Sequence, residues 1–374
     1  MTSGSSAYRS AGVDYRALDA GKRGALTEAL KTSGLIESLG GRALDQSRGE
    51  PAFMFQCGGL TLGFVVEGLG TKSLIARQLR DRLGGAGFAS VAYDTVAAIV
   101  NDLCCVGALP LVVNAYFATG SSSWYQDAEA HQALLDGWRD ACQDAGAVWG
   151  GGESPSLSDL VSRQDIELAG SAVGVVPEGR EPLLGQNLQP GDEIVLVDSS
   201  GLHANGASLA RKVAGELTHG YATLLPSGRE FGQALLDRSL IYVGLVRDLL
   251  MGDMDVHYLS HITGHGLLKL MRPRRELTYR IGRLPKVPEV LAFLSSAADL
   301  DPPAAYSTLN MGAGFAVYCG ASVGEAVVGL ADQHGLVAQV AGRVEEGPRR
   351  VVLEELGVTY ESEELDLGPG DRSR

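Results

Sequence analysis

The distribution of apolar residues predicts strands and amphipathic helices that alternate along most of the chain. Strand-like segments are continuous apolar runs or alternate apolar with polar residues, whereas helical segments repeat apolar residues every three or four positions. The predicted strands cover residues 62–66, 109–117, 166–176 and 193–197, and the predicted helices cover residues 19–31, 90–107 and 128–145. Because strands and helices are mixed in both halves, we expect an α/β fold.

A proline-rich stretch near the middle of the chain predicts a boundary between two domains. Pro177, Pro182 and Pro190 lie in or beside residues 178–192, which is typical of a linker. The length of 374 residues also fits two domains of ordinary size. We therefore expect an N-terminal domain at 1–180, a C-terminal α/β domain at 190–357 and a polar tail at 358–374.

Composition and charge exclude several classes of protein. With 45% hydrophobic residues the chain can bury a sizeable core, which excludes wholesale disorder. A net charge of -14 with no basic block argues against binding nucleic acid or an anionic membrane through a broad positive face. No stretch approaches the ~18 consecutive apolar residues of a membrane span, and the first residues lack the apolar core of a signal peptide. We expect a cytoplasmic protein without membrane or nucleic-acid partners.

The cysteines predict neither a metal site nor a disulfide framework. They are Cys57, Cys104, Cys105, Cys142 and Cys319, an odd number without a Cys-x-x-Cys pair. Cys104 and Cys105 lie in an apolar run, so we expect them to be small buried thiols.

Acidic and amide residues are concentrated at turn ends and on one predicted helix of the first half. These residues are Glu67, Asp94, Asn101, Asp102 and Glu153. Asp94 and Asp102 are separated by close to two helical turns, so their side chains can share a face. Carboxylate oxygens suit Mg²⁺, which usually shares a few of them with the phosphates of a nucleotide. The alternative is that these residues are helix caps and a solvated polar face, and spacing alone leaves both open.

Three shorter motifs are weaker signals. The turn GLGTK at 68–72 resembles a phosphate loop only loosely; Lys72 can neutralise phosphate, or the glycines can simply form a tight turn. His203, in the loop SGLHANG at 200–206, can transfer protons near neutral pH or can cap a turn. His261 and His265 would bind zinc only with a third ligand, which the sequence does not indicate.

The ordered set of motifs resembles the aminoimidazole ribonucleotide synthetase family, whose members are also called phosphoribosylformylglycinamidine cyclo-ligases. The first half carries YRSAGVDY at 8–15, EGLGTK at 67–72, YDTVAAIVNDL at 93–103 and PLVVNAYFATG at 110–120. The match continues with GGES at 151–154, ELAGSAVGVV at 167–176, SSGLHANGASLARKV at 199–213, HITGHGL at 261–267 and STLNMGAGF at 307–315. The order of the motifs makes the set specific, although no single motif is.

The resemblance implies a fold, an assembly and a reaction. It implies a two-domain α/β (α+β) fold and a homodimer in which strands of both N-terminal domains form a β-barrel. It also implies an ATP- and Mg²⁺-dependent enzyme of purine biosynthesis with a nucleotide-like substrate. In the family, ATP phosphorylates the formyl amide oxygen of formylglycinamidine ribonucleotide. An amidine nitrogen then attacks the activated carbon, and loss of phosphate closes the imidazole ring of aminoimidazole ribonucleotide. Phosphorylation turns the amide oxygen into a good leaving group, and a divalent metal offsets the charge that builds up.

The resemblance also assigns roles to individual residues. His203, Asp94 and Lys72 match catalytic positions, with His203 implied in proton transfer or in contact with the transferring phosphoryl group. The residues implied to bind metal are Glu67, Asp94, Asp102 and Glu153. The residues implied to bind ATP or substrate are Gly68, Gly70, Thr71, Asn101, Asn205, Gly264, Gly266, Asn310 and Gly312.

Four departures from the family pattern fall in binding loops. Glu67 stands for an aspartate, Ala204 for a serine and His265 for a glycine, and residues 154–158 replace a segment that carries a glutamate. These departures support an alternative, a divergent relative that activates or cyclises another amide-like substrate in specialised metabolism. A non-catalytic nucleotide-binding protein is a third interpretation, against which the retained acidic residues argue.

Two other members of the superfamily fit the motifs less well. A selenophosphate synthetase is expected to carry a reactive cysteine beside a glycine-rich segment, which Cys57-Gly58-Gly59 echoes only faintly. A hydrogenase-maturation relative is expected to carry a cysteine in a tail such as 368–374, where this sequence has none.

Overall fold

The computed structural model describes residues 15–252 and 254–367, which form two β-sheets with flanking helices. The first sheet contains β1 (Arg42–Leu44), β2 (Phe53–Cys57), β3 (Leu60–Gly68), β4 (Leu109–Thr119), β5 (Val148–Glu153) and β6 (Ile166–Val175). The second contains β7 (Glu193–Asp198), β8 (Val256–His261), β9 (Leu277–Ile281), β10 (Ala313–Cys319), β11 (Ala338–Glu346), β12 (Arg350–Leu353) and β13 (Val358–Glu361). The helices are α1 (Tyr15–Leu30), α2 (Lys72–Gln78), α3 (Arg80–Leu83), α4 (Ala86–Cys104), α5 (Ala128–Asp144), α6 (Ala207–Glu216), α7 (Phe231–Leu235), α8 (Val243–Met251), α9 (Glu289–Ala297), α10 (Pro302–Tyr306) and α11 (Gly324–Gln333).

The predicted α/β class is confirmed, and the boundaries of the predicted strands and helices differ from the observed ones by a few residues. Every described helix is too short or too polar to span a membrane.

The first sheet is almost entirely antiparallel. Its strand order is β1-β2-β3-β6-β4-β5, and β4 and β5 are its parallel pair. A parallel pair needs a crossover connection, which α5 supplies between these two strands.

Helix α4 lies against the inner face of this sheet so closely that glycines are needed there. A Cβ atom on Gly170 would lie 2.8 Å from Ile99 Cδ1, and one on Gly174 would lie 2.7 Å from Leu103 Cδ2. Since real side chains are not found at such distances, the glycines of β6 fix the position of α4 and of the polar residues it carries.

The opposite face of α4 is buried as well, which the sequence did not indicate. The sequence places Asp94, Asn101 and Asp102 on or near the helix face opposite the apolar residues. Side chains on such a face are usually exposed to solvent. All three are buried. The second domain covers this face, because α8 and β8 pack against α4. The interpretation of these residues as a solvated helix face is therefore wrong.

The second sheet has the order β13-β12-β9-β11-β7-β10-β8 and carries α11 against β7 and β11. Residues 358–374 were expected to be a polar tail, but Val358–Glu361 pair antiparallel with β12 as β13. Val358 and Tyr360 alternate with exposed residues and are buried, and Leu365 beyond them is also buried. The described part of the expected tail thus belongs to the second domain.

One buried histidine of this domain lies between two carboxylates. His257 Nδ1 is 2.8 Å from Asp192 Oδ2, and its Nε2 is 3.0 Å from Asp255 Oδ1. Burial alone would lower the pKa of His257, but hydrogen bonds to Asp192 and Asp255 and their charges outweigh burial and raise this pKa above its ordinary value.

We expect His257→Gln to destabilise the protein more at about pH 5.5 than at about pH 8.5. A raised pKa means that the folded state favours the protonated ring. Its stabilising contribution is complete below the unfolded-state pKa and is lost as the pH rises through the folded-state pKa. Urea unfolding at both pH values measures this, with the exposed His219→Gln as the control. An equal loss at both pH values would contradict the assignment.

Candidate functional site

A cavity of about 630 Å³ lies between the two domains. The first domain contributes the end of β3 with the turn 67–71, together with Asp102 of α4. The second domain contributes the loops 204–208 and 261–265, and Lys269 and Arg272 beyond them. The cavity therefore brings together three loops that are far apart in sequence.

Helix α1 covers part of the cavity. Its residues Lys22, Ala25, Leu26 and Ala29 line the cavity and recur at the spacing of one helix face. Leu367, from the other end of the described chain, also lines it.

His265 joins this cover to the second domain. Its Nε2 is 3.1 Å from Asp19 Oδ2 on α1. His265 has φ 74°, a left-handed conformation that costs a residue other than glycine about 1 kcal/mol. His265, at a position where the resemblance implies a glycine, thus connects α1 to the loop at 261–265 over the cavity.

The acidic part of the cavity is a hydrogen-bonded series of Glu67, Asp102 and His261. Asp102 Oδ1 is 2.6 Å from His261 Nδ1. Burial of the Glu67 carboxyl group, together with the charge and hydrogen bond of Asp102, raises the pKa of Glu67 to about 8. Burial also acts to raise the pKa of Asp102, but the hydrogen bond and charge of His261 outweigh it and lower this pKa to about 2.

This pair of carboxyl groups fits a metal that also binds phosphate. Two acidic side chains in contact are repelled when both are ionised, and a divalent cation between them removes that repulsion. Mg²⁺ is commonly held by one or two carboxylates together with substrate phosphates. Within the described ranges, no group of three or more His, Cys, Asp and Glu could hold a metal ion by itself. Glu67 and Asp102 therefore suit Mg²⁺ only together with a ligand that supplies further oxygens.

A glycine turn and a helix N-terminus meet at the cavity. Gly70 has φ 72°, which permits the tight turn, and Thr71 Oγ1 lies 2.9 Å from Ser208 Oγ of α6. Helix α6 begins after Gly206, which supplies no side-chain cap for the first N–H groups. Exposed N–H groups at a helix N-terminus favour anions. Of the predicted ligand-binding residues, Gly68, Gly70, Thr71, Asn205 and Gly264 line the cavity.

Lys72 and Asp94 do not line the cavity but form an ion pair that is completely buried. Lys72 Nζ lies 2.6 Å from Asp94 Oδ2 and donates to the His203 carbonyl oxygen at 2.7 Å. Asp94 Oδ1 accepts from the Ser239 N–H at 2.6 Å. These bonds tie α2 and α4 to two loops of the second domain. The structure therefore does not place Lys72 or Asp94 in direct contact with a ligand in the cavity. Their predicted part in the reaction stays a prediction.

His203 also lies outside the cavity lining. Burial, together with the charges of His261 and Lys72, holds the pKa of His203 well below its ordinary value, so the ring is neutral. Its Nε2 accepts from the Ser200 N–H at 3.2 Å, which places the proton on Nδ1. Nδ1 has no hydrogen-bond partner among the described residues. The predicted role of His203 in proton transfer stays a prediction.

The remaining predicted residues support loops or lie apart from the cavity. Asn101 bonds the backbone of Leu240 and Tyr242, and Asn310 bonds Ser199 and the backbone of Gly201 and Gly312. Gly266 approaches the Tyr306 carbonyl so closely that a Cβ would lie 2.2 Å from its oxygen. Glu153 is exposed at the end of β5, and its carboxylate accepts from the Ser154 N–H. The structure does not bring Glu153 to Glu67 and Asp102.

Sequence reasoning missed four charged residues that line the cavity, namely Lys22, Glu50, Lys269 and Arg272. Lys269 and Arg272 lie three positions apart directly after the loop 261–267, Lys269 between apolar residues and Arg272 at their end, where Arg274 and Arg275 follow. Two cations in this stretch were the available signal.

Comparisons with known proteins agree with this architecture. The model of the AIR synthase related protein, N-terminal domain, matches residues 49–176, and that of the C-terminal domain matches residues 189–354. A phosphoribosylformylglycinamidine cyclo-ligase of Methanothermobacter thermautotrophicus is 32% identical over 85% of this chain and 91% of its own length. One of Carboxydothermus hydrogenoformans is 33% identical over 77% of this chain and 82% of its own length.

Solved structures share the fold at lower identity. The HypE–HypF complex matches with a TM-score of 0.57 and 18% identity, over 85% of this chain and 93% of that chain. ThiL complexed with AMPPCP and TMP matches with a TM-score of 0.56 and 15% identity, over 87% of this chain and 93% of that chain.

The fold and the cavity define a two-domain α/β enzyme with its cleft between the domains. Given relatives above 30% identity that it covers over most of their length, the chain belongs to the AIR synthase related family. The predicted class, an ATP-dependent cyclo-ligase, is confirmed by these relatives.

The buried ion pair generates a prediction about stability. We expect Lys72→Met to lower the free energy of unfolding by about 3 kcal/mol, because it leaves the Asp94 carboxylate buried without its cation. The matched control is Lys31→Met, which breaks the exposed pair with Glu28 and should change stability by less than about 1 kcal/mol. Urea unfolding followed by circular dichroism measures both values. Equal stability of the two variants would contradict the interpretation that the Lys72–Asp94 pair holds the two domains together.

Proposed function

We propose that the protein converts formylglycinamidine ribonucleotide to aminoimidazole ribonucleotide with ATP, releasing ADP and phosphate, as a step of purine biosynthesis. One observation carries the proposal. The turn at 67–71 and the loops at 204–208 and 261–265, which hold the resembling motifs, line one cavity together with the Glu67–Asp102 pair. The names of the curated relatives support the same substrate.

The phosphates of ATP are proposed to bind at the turn 68–71 and the N-terminus of α6. The N–H groups there complement phosphate oxygens, and Thr71 and Ser208 add hydroxyl groups. Glu67 and Asp102 would hold Mg²⁺, which when bound offsets the negative charge of the phosphates. The ATP complex of HypE, which shares the fold, supports an ATP site in this architecture.

The substrate is proposed to bind beside the nucleotide, beneath α1. The γ-phosphoryl group is transferred to the formyl amide oxygen as its bond to ADP breaks. The amidine nitrogen then bonds to the former formyl carbon and loses a proton, and the oxygen leaves as part of inorganic phosphate. The chain's part is to orient the two substrates and to exclude water, which would otherwise hydrolyse the phosphorylated amide.

A second candidate is ATP-dependent activation of another amide-like substrate in specialised metabolism. His265 favours it, because this side chain adds bulk to the loop at 261–265 and fixes α1 over the cavity. A substrate of different size would be selected by this change.

A cytoplasmic location is proposed together with this function. The cysteines of the described residues are free thiols, the state expected in a reducing compartment.

The protein is proposed to act as a homodimer through the outer face of its first sheet, which is the face that points away from α4. Phe64 and Val66 of β3 are 41% and 62% exposed, and Leu111 of β4 is 45% exposed. Val173 of β6 is aligned with Phe64 on one side and with Val112 on the other. A continuous exposed apolar face of this kind is typical of a subunit interface, and the β-barrel of the family would cover it.

We expect Phe64→Glu to convert the dimer to monomer, because it places a charge in the centre of this face. Light scattering after size exclusion measures the mass. The exposed Leu224→Glu, on a loop of the second domain, is the control and should leave the mass unchanged. A wild-type monomer, or a Phe64→Glu dimer, would contradict the interface.

We expect the purified protein to release ADP and form the imidazole product when given ATP, Mg²⁺ and formylglycinamidine ribonucleotide. Asp102→Asn should lower this rate on the order of 100-fold, because it removes a carboxylate that would hold the Mg²⁺ beside the transferred phosphoryl group. The control is Asp136→Asn, which removes a carboxylate from the surface of α5. ATP binding without imidazole formation would favour the second candidate, and normal turnover by Asp102→Asn would contradict the metal assignment.

A further inference from the structure

Two cations line the cavity from one short segment of the second domain. Lys269 lies in the 3₁₀ helix Gly266–Met271, and Arg272 follows directly after it. Both line the cavity, and Lys269 is only 7% exposed. Neither residue lies in a motif that carries the family resemblance.

The backbone of this segment is held by contacts that are independent of any ligand. The Lys269 carbonyl oxygen accepts from Ser260 Oγ at 3.2 Å, and the Leu270 carbonyl oxygen accepts from the Tyr318 hydroxyl at 2.7 Å. The Met271 carbonyl oxygen accepts from Arg349 Nε at 2.8 Å. The two cationic side chains therefore start from fixed positions, which reduces the entropy lost when they bind a ligand.

The two cations lack the acceptors that buried cations normally have. Lys269 Nζ donates to the neutral Thr263 hydroxyl at 3.0 Å. Arg272 Nε is enclosed and has no hydrogen-bond partner among the described residues. A lysine carries three N–H donors and an arginine five, and buried charges are normally paired. The unused donors and the positive charge are therefore available to an anion in the cavity.

Among the described residues, the acidic side chains of the lining form no ion pair with Lys269 or Arg272, although the charges of Asp102 and Glu67 act on Lys269. Glu50 Oε2 accepts from the Tyr258 hydroxyl at 2.6 Å, and burial raises the pKa of Glu50, which favours its neutral form. Asp102 is engaged with His261. Lys22 of α1 adds a further positive charge to the lining. A chain with a net charge of -14 thus holds a cluster of cations inside its cleft.

We propose that Lys269 and Arg272 form a binding subsite for a phosphate group. The planar guanidinium of an arginine matches two phosphate oxygens, and the ammonium of a lysine acts as a point charge beside it. The subsite lies on a different segment of the lining from the turn at 68–71, so it suits a second phosphate in the cavity. The proposal rests on the proposed function for the identity of its ligand, the phosphate monoester of the ribonucleotide substrate. A phosphate of ATP is the other possible source.

The test is isothermal titration calorimetry of three probes against the full-length protein. The probes are ribose 5-phosphate, its unphosphorylated counterpart ribose, and ATP with Mg²⁺. We expect Lys269→Gln and Arg272→Gln each to weaken ribose 5-phosphate binding on the order of tenfold, because each removes a charge-assisted hydrogen bond. Arg272→Lys keeps the charge without the planar fork and should lose less. The matched control is Lys212→Gln, which removes a lysine from the exposed face of α6.

The outcomes separate the source of the phosphate and the validity of the subsite. Weakened ribose 5-phosphate binding with unchanged ATP binding supports the subsite and assigns it to the substrate. Weakened ATP binding with unchanged ribose 5-phosphate binding supports the subsite and assigns it to the nucleotide. The subsite would be overturned if Lys269→Gln and Arg272→Gln bound ribose 5-phosphate and ATP with the same affinities as the control Lys212→Gln. The melting temperature of each variant, together with the binding retained by Arg272→Lys, confirms that the variants are folded. Wild-type protein that binds ribose 5-phosphate through these residues but forms no imidazole would contradict the proposed function alone.

Discussion

The buried ion pair of Lys72 and Asp94 is the contact on which the shape of the cavity depends. Both charges are removed from water, and both are further satisfied across the domain boundary by backbone groups, the His203 carbonyl and the Ser239 N–H. Such a pair is stable only when its geometry is complete. The two walls of the cavity that lie next to it in sequence, the turn ending at Thr71 and the loop beginning at Ala204, are therefore held in a fixed relation.

Within that frame the cavity holds charges of both signs. Glu67 and Asp102 line it from the first domain, whereas Lys269 and Arg272 line it from the second, and Lys269 interacts electrostatically with Asp102 and Glu67. Opposite charges in one cavity are the arrangement needed for a metal-bound polyphosphate beside a second anionic molecule. Helix α1 lies over this space and limits access of water, which suits a reaction through a phosphorylated amide.

Much of this arrangement is predictable from sequence, because local signals determine it. The apolar periods located four of the 13 described strands and three of the 11 described helices, and the glycine turn and the loop at 261–265 were recognised from their motifs. The buried polar face of α4 was not predictable, because the covering residues lie about 140 positions further along the chain. Lys269 lies in an apolar run and Arg272 begins a run of arginines, and in both settings a cation ordinarily points to solvent. The pairing of Lys72 with Asp94 likewise depends on tertiary structure, and it redirects a lysine whose type suggested contact with phosphate and an aspartate whose type suggested contact with a metal.

The central claim is that the cavity transfers a phosphoryl group from ATP to an amide oxygen, and the fate of that oxygen tests it most directly. Substrate labelled with ¹⁸O at the formyl oxygen would be turned over with unlabelled ATP, and the released phosphate would be examined by mass spectrometry. The account predicts one ¹⁸O atom in each inorganic phosphate formed along with the imidazole. Unlabelled phosphate, with the ¹⁸O recovered in water, would contradict activation of the amide by phosphorylation.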